Sequence, residues 1–197
     1  RHIARKMKPV ILSTGMSSLV EVGEAVELFR ESGNQELVLL HCVSNYPANP
    51  ADVNLRAMET MAAAFQVPVG YSDHTPGVEV ALAAAALGAS VIEKHFTLDQ
   101  SMPGPDHRAS LEPGGLKEMI QGIRTVEAAL GHGRKEPALS EKNTASVARR
   151  SLVAARDLKA GEKLSREDIA IRRPGFGLQP SMLSFIIGLT LKKDVAE

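Results

Sequence analysis

The chain has 197 residues, 44% of them hydrophobic, and a formal net charge of zero. That length supports one substantial core, or one core with a small annex, and the balanced charge argues against a nucleic-acid or membrane partner. The single cysteine, Cys42, excludes an internal disulfide framework and permits a reducing compartment, so a cytoplasmic location is expected. The Ala-rich run at residues 78–89 is too short to span a bilayer. The basic N-terminus lacks the apolar segment of a secretory signal. The chain opens at Arg1 with no initiator Met, as expected of a fragment.

In chain order, an apolar run at residues 9–12 ends in Ser13, Thr14 and Gly15 and gives way to a helical pattern. Ser18 and Glu21 have capping-box spacing, Val22, Val26 and Phe29 share one face, and Gly33 marks a stop. "ELVLLH" reads as a buried strand ending at His41. The loop "SNYPANPADVN" leads into a helix carrying Leu55, Met58, Ala62 and Phe65. "VPVGYSDH" is a strand ending in Ser72, Asp73 and His74, followed by a helix over residues 78–87. "SVIEKHF" is a strand carrying Glu93 and His95. After a loop at residues 97–111, a last helix spaces Leu116, Ile120, Ile123, Val126 and Leu130 on one face. Strand and helix alternate with short connections, which predicts a parallel sheet of the α/β class with right-handed crossovers. Its polar strand ends mark the ligand-binding face of a barrel or an open sheet. Neither common nucleotide-loop motif occurs.

The pattern changes after Gly131. Residues 131–148 read as a linker, and residues 149–197 as a small strand-rich domain that gains stability by packing on a partner surface.

His74 and His95 end neighbouring predicted strands, and two imidazoles there can converge on one divalent metal ion. Either one alone is an ordinary polar strand-end residue. Glu93 faces the same side as His95 and can ligate or hold a metal-bound water. Asp73 alternates away from His74 and reads as structural. Pro103 and Pro105 stiffen the loop "MPGPDH" and can hold Asp106 over the strand ends; His107 either assists or is solvated. Ser13, Ser44 and Ser72, with Thr14, are hydroxyls that hold a phosphate or simply close turns. Asn45 and Tyr46 can meet a polar substrate. His41 reads as a buried, satisfied histidine, and Cys42 as a small core residue.

Five stretches, "LSTGM", "LLHCVSNYPANPADVNL", "GYSDHTPGVEVALAAAALGASVIEKHFTLD", "MPGPDHRASLEP" and "RRPGFG", together resemble the sialic acid synthases. That family condenses phosphoenolpyruvate with an N-acylated mannosamine to make nine-carbon sugar acids. The resemblance implies a (β/α)8 TIM barrel joined to an antifreeze-like (SAF) domain. Residues 1–130 would be the last four β/α units, residues 131–148 the linker, and residues 149–197 the SAF domain, truncated at its C-terminus. It also implies roles for particular residues. His74 and His95 match metal ligands, with Mn²⁺ the expected ion. Glu93 matches the acidic group beside the metal water, and Asp106 the loop carboxylate. Ser13, Ser44 and Ser72 match positions around phosphoenolpyruvate, and Tyr46 a residue facing the N-acylated amino sugar. Arg173 matches an arginine that reaches a partner subunit's site in a domain-swapped homodimer. The residues alone make Arg173 a solvated surface arginine.

Three rival functions remain open. One is a legionaminic or pseudaminic acid synthase with the same chemistry. Another is an aldolase using a Schiff-base lysine, for which Lys94 is the strand-end candidate although it points opposite His95. The last is a non-catalytic module.

Overall fold

A computed structural model describes residues 1–197, which divide into two units, Arg1–Gly133 and Arg134–Glu197. In the first, four strands, β1 (Val10–Ser13), β2 (Leu37–Cys42), β3 (Val69–Asp73) and β4 (Ile92–Lys94), form one sheet in the order β1-β2-β3-β4, with every pair parallel. The helices α1 (Leu19–Glu31), α2 (Ala57–Phe65), α3 (Glu79–Ala86) and α4 (Pro113–Leu130) follow the strands in turn.

Alternation decides which strand residues face the helices, although all of β3 and both Leu39 and Leu40 are buried. Leu37, Leu39 and Tyr71 face the helices and pack with Val22, Val26, Phe29, Met58, Met61 and Phe65. Each fully buried leucine contributes about 1.5–3 kcal/mol. A smaller cluster joins Ala81, Leu111 and Met119 under α3 and α4. On the opposite face of β1, Ile11 and Ser13 are exposed. The parallel register carries that face across the sheet through Cys42, Ser72 and Glu93.

Local chemistry sets the helix ends. Ser18 and Glu21 form the predicted capping box: the Ser18 N–H donates to Glu21 Oε2 at 2.7 Å, and the Glu21 N–H to Ser18 Oγ at 3.4 Å. Such a cap contributes about 1 kcal/mol. At the far end of α1, Gly33 has a φ of +79°, a left-handed geometry in which glycine suffers no Cβ penalty. In α2 the core is Met58, Met61 and Phe65, and the predicted Ala62 is exposed. In α4 Met119 is the buried residue, while Ile120 is 47% exposed.

In the second unit, β5 (Ser151–Ala154) pairs antiparallel with β6 (Ile169–Arg172) over Leu152, Ala154, Leu158 and Ile169. The segment read as linker holds a 3-10 turn at Leu139–Glu141 and the helix α5 (Lys142–Ala148), and a last helix, α6, covers Leu183–Ile186. Asp168 organises the turn before β6. Its carboxylate accepts from the Ser165 N–H and Oγ–H at 2.9 and 2.8 Å and from Arg156 Nε at 2.9 Å. Gly175 and Gly177 are needed for close approach, not for a left-handed turn. A Cβ at 175 would lie 2.7 Å from Arg149 Cβ, and one at 177 would lie 3.0 Å from the Leu152 carbonyl oxygen.

Candidate functional site

The strand ends of β3 and β4 bring three rings together. The centroids of His74 and His95 are 5.3 Å apart, with the rings steeply tilted. The Tyr46 ring, from the loop after β2, lies 4.2 Å from that of His74 and 5.3 Å from that of His95. His74 is buried, and its Nδ1 lies 2.8 Å from the carbonyl oxygen of Val43. A carbonyl only accepts, so Nδ1 carries the proton, and in the neutral ring Nε2 keeps its lone pair. That is the tautomer a metal ligand needs. Rings 5.3 Å apart, centre to centre, could each present one nitrogen to a single ion. No group of three or more His, Cys, Asp or Glu side chains gathers as a ready metal cage. The histidine pair could therefore hold an ion only with its remaining positions filled from outside this cluster.

Glu93 accepts a hydrogen bond from Ser72 Oγ at 2.7 Å. The Ser72 hydroxyl, expected near a phosphate, here orients Glu93. Asp106 begins the 3-10 turn at His107–Ala109, and its carbonyl accepts from Ser110 Oγ at 2.7 Å. The Tyr46 hydroxyl pKa is raised, first by loss of water around it and then by the negative charges of Cys42, Asp106 and Glu93. Each of those groups therefore sits within electrostatic reach of Tyr46.

Ser13 is exposed at the end of β1. Ser44 lies against Gly15, where a Cβ would overlap its hydroxyl oxygen and stand 3.3 Å from Cys42 Sγ. That contact gives a reason for glycine after Ser13 and Thr14: a side chain there would have to displace the Ser44 hydroxyl and crowd Cys42. Arg173 is exposed on the second unit.

Neighbours of these residues turn elsewhere. Lys94 donates to Asp73 Oδ2 at 2.7 Å and to the Thr75 carbonyl at 2.6 Å, on the helix side of the sheet. Both side chains of this ion pair are almost wholly buried. Thr75 donates to Asp73 Oδ1 through its N–H and its hydroxyl, at 2.8 and 2.7 Å. His41 Nε2 bonds the Val53 carbonyl at 2.6 Å. His107 Nδ1 and Thr97 Oγ1 share a hydrogen bond at 2.7 Å, so His107 braces its loop. Cys42 Sγ lies 3.7 Å from His74 Nδ1. Side-chain reasoning could not find the Val43 carbonyl, because a backbone oxygen leaves no mark in residue type.

A parallel α/β sheet with polar strand ends on its open face, followed in the chain by a separate small β unit, defines the class: half of a β/α barrel followed by an SAF domain. Residues 1–135 match the NeuB family and residues 149–197 the SAF domain. The chain belongs to the NeuB family.

It is 48% identical over 200 residues to the N,N'-diacetyllegionaminic acid synthase of Legionella pneumophila, covering 100% of this chain and 56% of that protein. It is 41% identical over 196 residues to the pseudaminic acid synthase of Campylobacter jejuni, covering 99% of this chain and 57% of that protein. Among solved structures, the N-acetylneuraminic acid synthetase of Leptospira borgpetersenii, in complex with citrate, superposes with a TM-score of 0.66 at 41% identity. That match covers 72% of this chain and 50% of the other. The chain thus spans little more than half the length of these relatives.

Proposed function

We propose that this chain is the C-terminal part of a sugar-acid synthase, holding the last four β/α units of a TIM barrel and an SAF domain. In this reading the complete protein condenses phosphoenolpyruvate with an N-acylmannosamine-type sugar to give a nine-carbon sialic acid and phosphate. A legionaminic or pseudaminic product arises by the same chemistry. The observation that carries the reading is the cluster of His74, His95 and Tyr46 on the open sheet face, with Ser72 holding Glu93 beside it.

His74 and His95 are the residues that would hold a divalent ion, Mn²⁺ by expectation. Such an ion supplies Lewis-acid polarisation of an aldehyde oxygen. C3 of phosphoenolpyruvate forms the new bond to the aldehyde carbon, water adds at C2, and the C2–O bond breaks as phosphate departs. Glu93, held by Ser72, orients the water. Asp106 holds a sugar hydroxyl. Ser13, Ser44 and Ser72 line the phosphoenolpyruvate site, Ser13 and Ser44 as donors, and Tyr46 walls the sugar. Arg173 is assigned to the sugar amide of a partner subunit's site in a domain-swapped homodimer, where its planar fork of donors suits a carbonyl. A cytoplasmic location belongs to this reading, on the single cysteine alone. No helix is long and apolar enough to cross a membrane.

The ion pair between Lys94 and Asp73 favours this reading over a Schiff-base aldolase, since the ammonium lies on the other side of the sheet from His95. The test is product analysis. The complete polypeptide, given phosphoenolpyruvate, Mn²⁺ and a panel of N-acyl hexosamines, should release phosphate and form an acid three carbons longer than the sugar. Absence of that acid with every sugar would reject the reading in favour of a non-catalytic module.

A further inference from the structure

A cavity of about 390 Å³ opens where β1 and β2 end and α1 and α2 begin. Val22 and Met61 line it and also belong to the core between sheet and helices, so it lies on the helix side of the sheet. None of His74, His95, Tyr46, Glu93 or Asp106 borders it. Every wall comes from residues 14–61, so the cavity is complete within this chain.

Its polar groups are largely unused. Arg56 is the one charged side chain in the wall; it is exposed, and its guanidinium has no hydrogen bond or ion pair within the chain. The side chains of Asn54 and Thr60 are unbonded too. His41 Nε2 is taken by the Val53 carbonyl at 2.6 Å, so it carries the proton and Nδ1 is left as an acceptor. Met16 and Asn54, both in the wall, have left-handed backbones with φ of +62° and +51°. Asparagine takes that geometry readily and methionine does not. Backbone of this kind clusters at ligand sites.

The complementary ligand follows from the wall. One guanidinium among neutral donors matches a single negative charge, and its fork suits a carboxylate through two parallel N–H···O bonds. Hydroxyl groups suit Asn54, Thr60 and the free His41 nitrogen. A carbon skeleton covers Val22, Met61 and Leu19. A bare phosphate ion would leave those apolar groups wet and bring more charge than one arginine balances. The volume is near the lower end of the range for small-molecule sites, roughly 300–1,000 Å³.

The same wall touches the face where Ser44 lies. Thr14, Met16 and Ser17 border the cavity, while Gly15 between them packs so closely on Ser44 that a Cβ would overlap its hydroxyl oxygen. Thr14 is pinned, its N–H and hydroxyl both donating to the Leu40 carbonyl at 3.0 and 2.8 Å. Cys42 also borders the cavity, and its Sγ lies 3.9 Å from Ser44 Oγ. We propose that this cavity is a regulatory site for a polyhydroxylated carboxylate, a sugar acid, held by Arg56, and that the bound acid slows the reaction by shifting Gly15 against Ser44. Such an acid must bind the shifted loop more tightly than the present one. The binding half stands on the cavity alone; the slowing rests on the sugar-acid synthase reading above.

Titration calorimetry of the complete polypeptide, without metal or phosphoenolpyruvate, tests the binding half, with N-acetylneuraminate and inorganic phosphate as probes. Wild type should bind the sugar acid, and phosphate far more weakly. Arg56→Ala should weaken the sugar acid about 10-fold or more, as loss of a charged hydrogen-bond donor implies. Arg56→Lys should keep part of the affinity and His74→Ala all of it. Because Arg56 is exposed and unbonded, R56A should melt with wild type. No binding to wild type, equal binding in R56A, loss of binding in H74A, or phosphate binding as tight as that of the sugar acid would each overturn the assignment. At saturating substrates, added N-acetylneuraminate should lower kcat of wild type and leave R56A, which otherwise turns over normally, unaffected. Equal inhibition of the two, or inhibition that saturating substrates abolish, would overturn the regulatory half. A polypeptide that turns over no sugar would reject the synthase reading, and calorimetry would still decide the site.

Discussion

The Nδ1–H of His74 donates to the carbonyl oxygen of Val43 across 2.8 Å. The bond ties the loop after β2 to the end of β3 and leaves Nε2 as the acceptor of the ring. With His95 5.3 Å away, centre to centre, the pair accounts for the proposed divalent site. His74→Ala and His95→Ala in the complete polypeptide should each weaken Mn²⁺ binding about 10-fold or more, since even partners of metal ligands matter at that level. Titration calorimetry reads this directly. Unchanged affinity in both variants would remove the histidines from the metal assignment.

Lys94 and Asp73 form a pair whose side chains are 2% and 0% exposed. Removing one partner strands a buried charge, which costs about 3–5 kcal/mol. Lys94→Met should therefore melt well below wild type, and adding Asp73→Asn should recover part of the loss. Borohydride added during turnover should trap no adduct on Lys94. A trapped adduct there would revive the aldolase mechanism.

Gly15→Ala places a methyl group on the Ser44 hydroxyl. The variant should be destabilised by about 1–3 kcal/mol, the usual range for overpacking. Combining it with Ser44→Gly should relieve most of that cost. Equal melting of the single and double variants would show that the contact is not the constraint.

The Asp168 pKa is lowered, first by the Ser165 N–H and hydroxyl and then, against some desolvation, by Arg156. A depressed folded pKa contributes stability that is present above the ordinary carboxylate range and is lost as pH falls through the lower folded value. Asp168→Asn should remove that part of the acid sensitivity of the second unit. Chemical denaturation followed across that acid range by a probe in residues 134–197 checks it. An acid transition of the same steepness in the variant would assign the effect to other carboxylates.

Much of this arrangement was legible in the residues because a strand has period two. Alternation alone put Glu93 and His95 on one face and turned Asp73 and Lys94 to the other, and the structure places them so. The capping box likewise depends only on neighbours three residues apart. Contacts that depend on packing were harder to read. Positions 61 and 62 both border the stripe through Met58 and Phe65, and the longer, flexible methionine takes the core. The same choice recurs at Met119 and Ile120. His107 could not be assigned from spacing because its partner, Thr97, lies across a loop. The tilted contact of the Tyr46 ring with His74 joins loops from two different strands, so no local pattern announces it.

If this site joins two carbon chains, C3 of phosphoenolpyruvate must end up bonded to a sugar carbon. The most direct measurement gives the complete polypeptide phosphoenolpyruvate labelled with ¹³C at C3, together with Mn²⁺ and an N-acyl hexosamine, and follows the label by NMR. The label should move into a methylene group of a nine-carbon acid, bonded to the former aldehyde carbon, only when the sugar is present and His74 is intact. Recovery of the label in free pyruvate, with phosphate released at the same rate without sugar, would contradict the account.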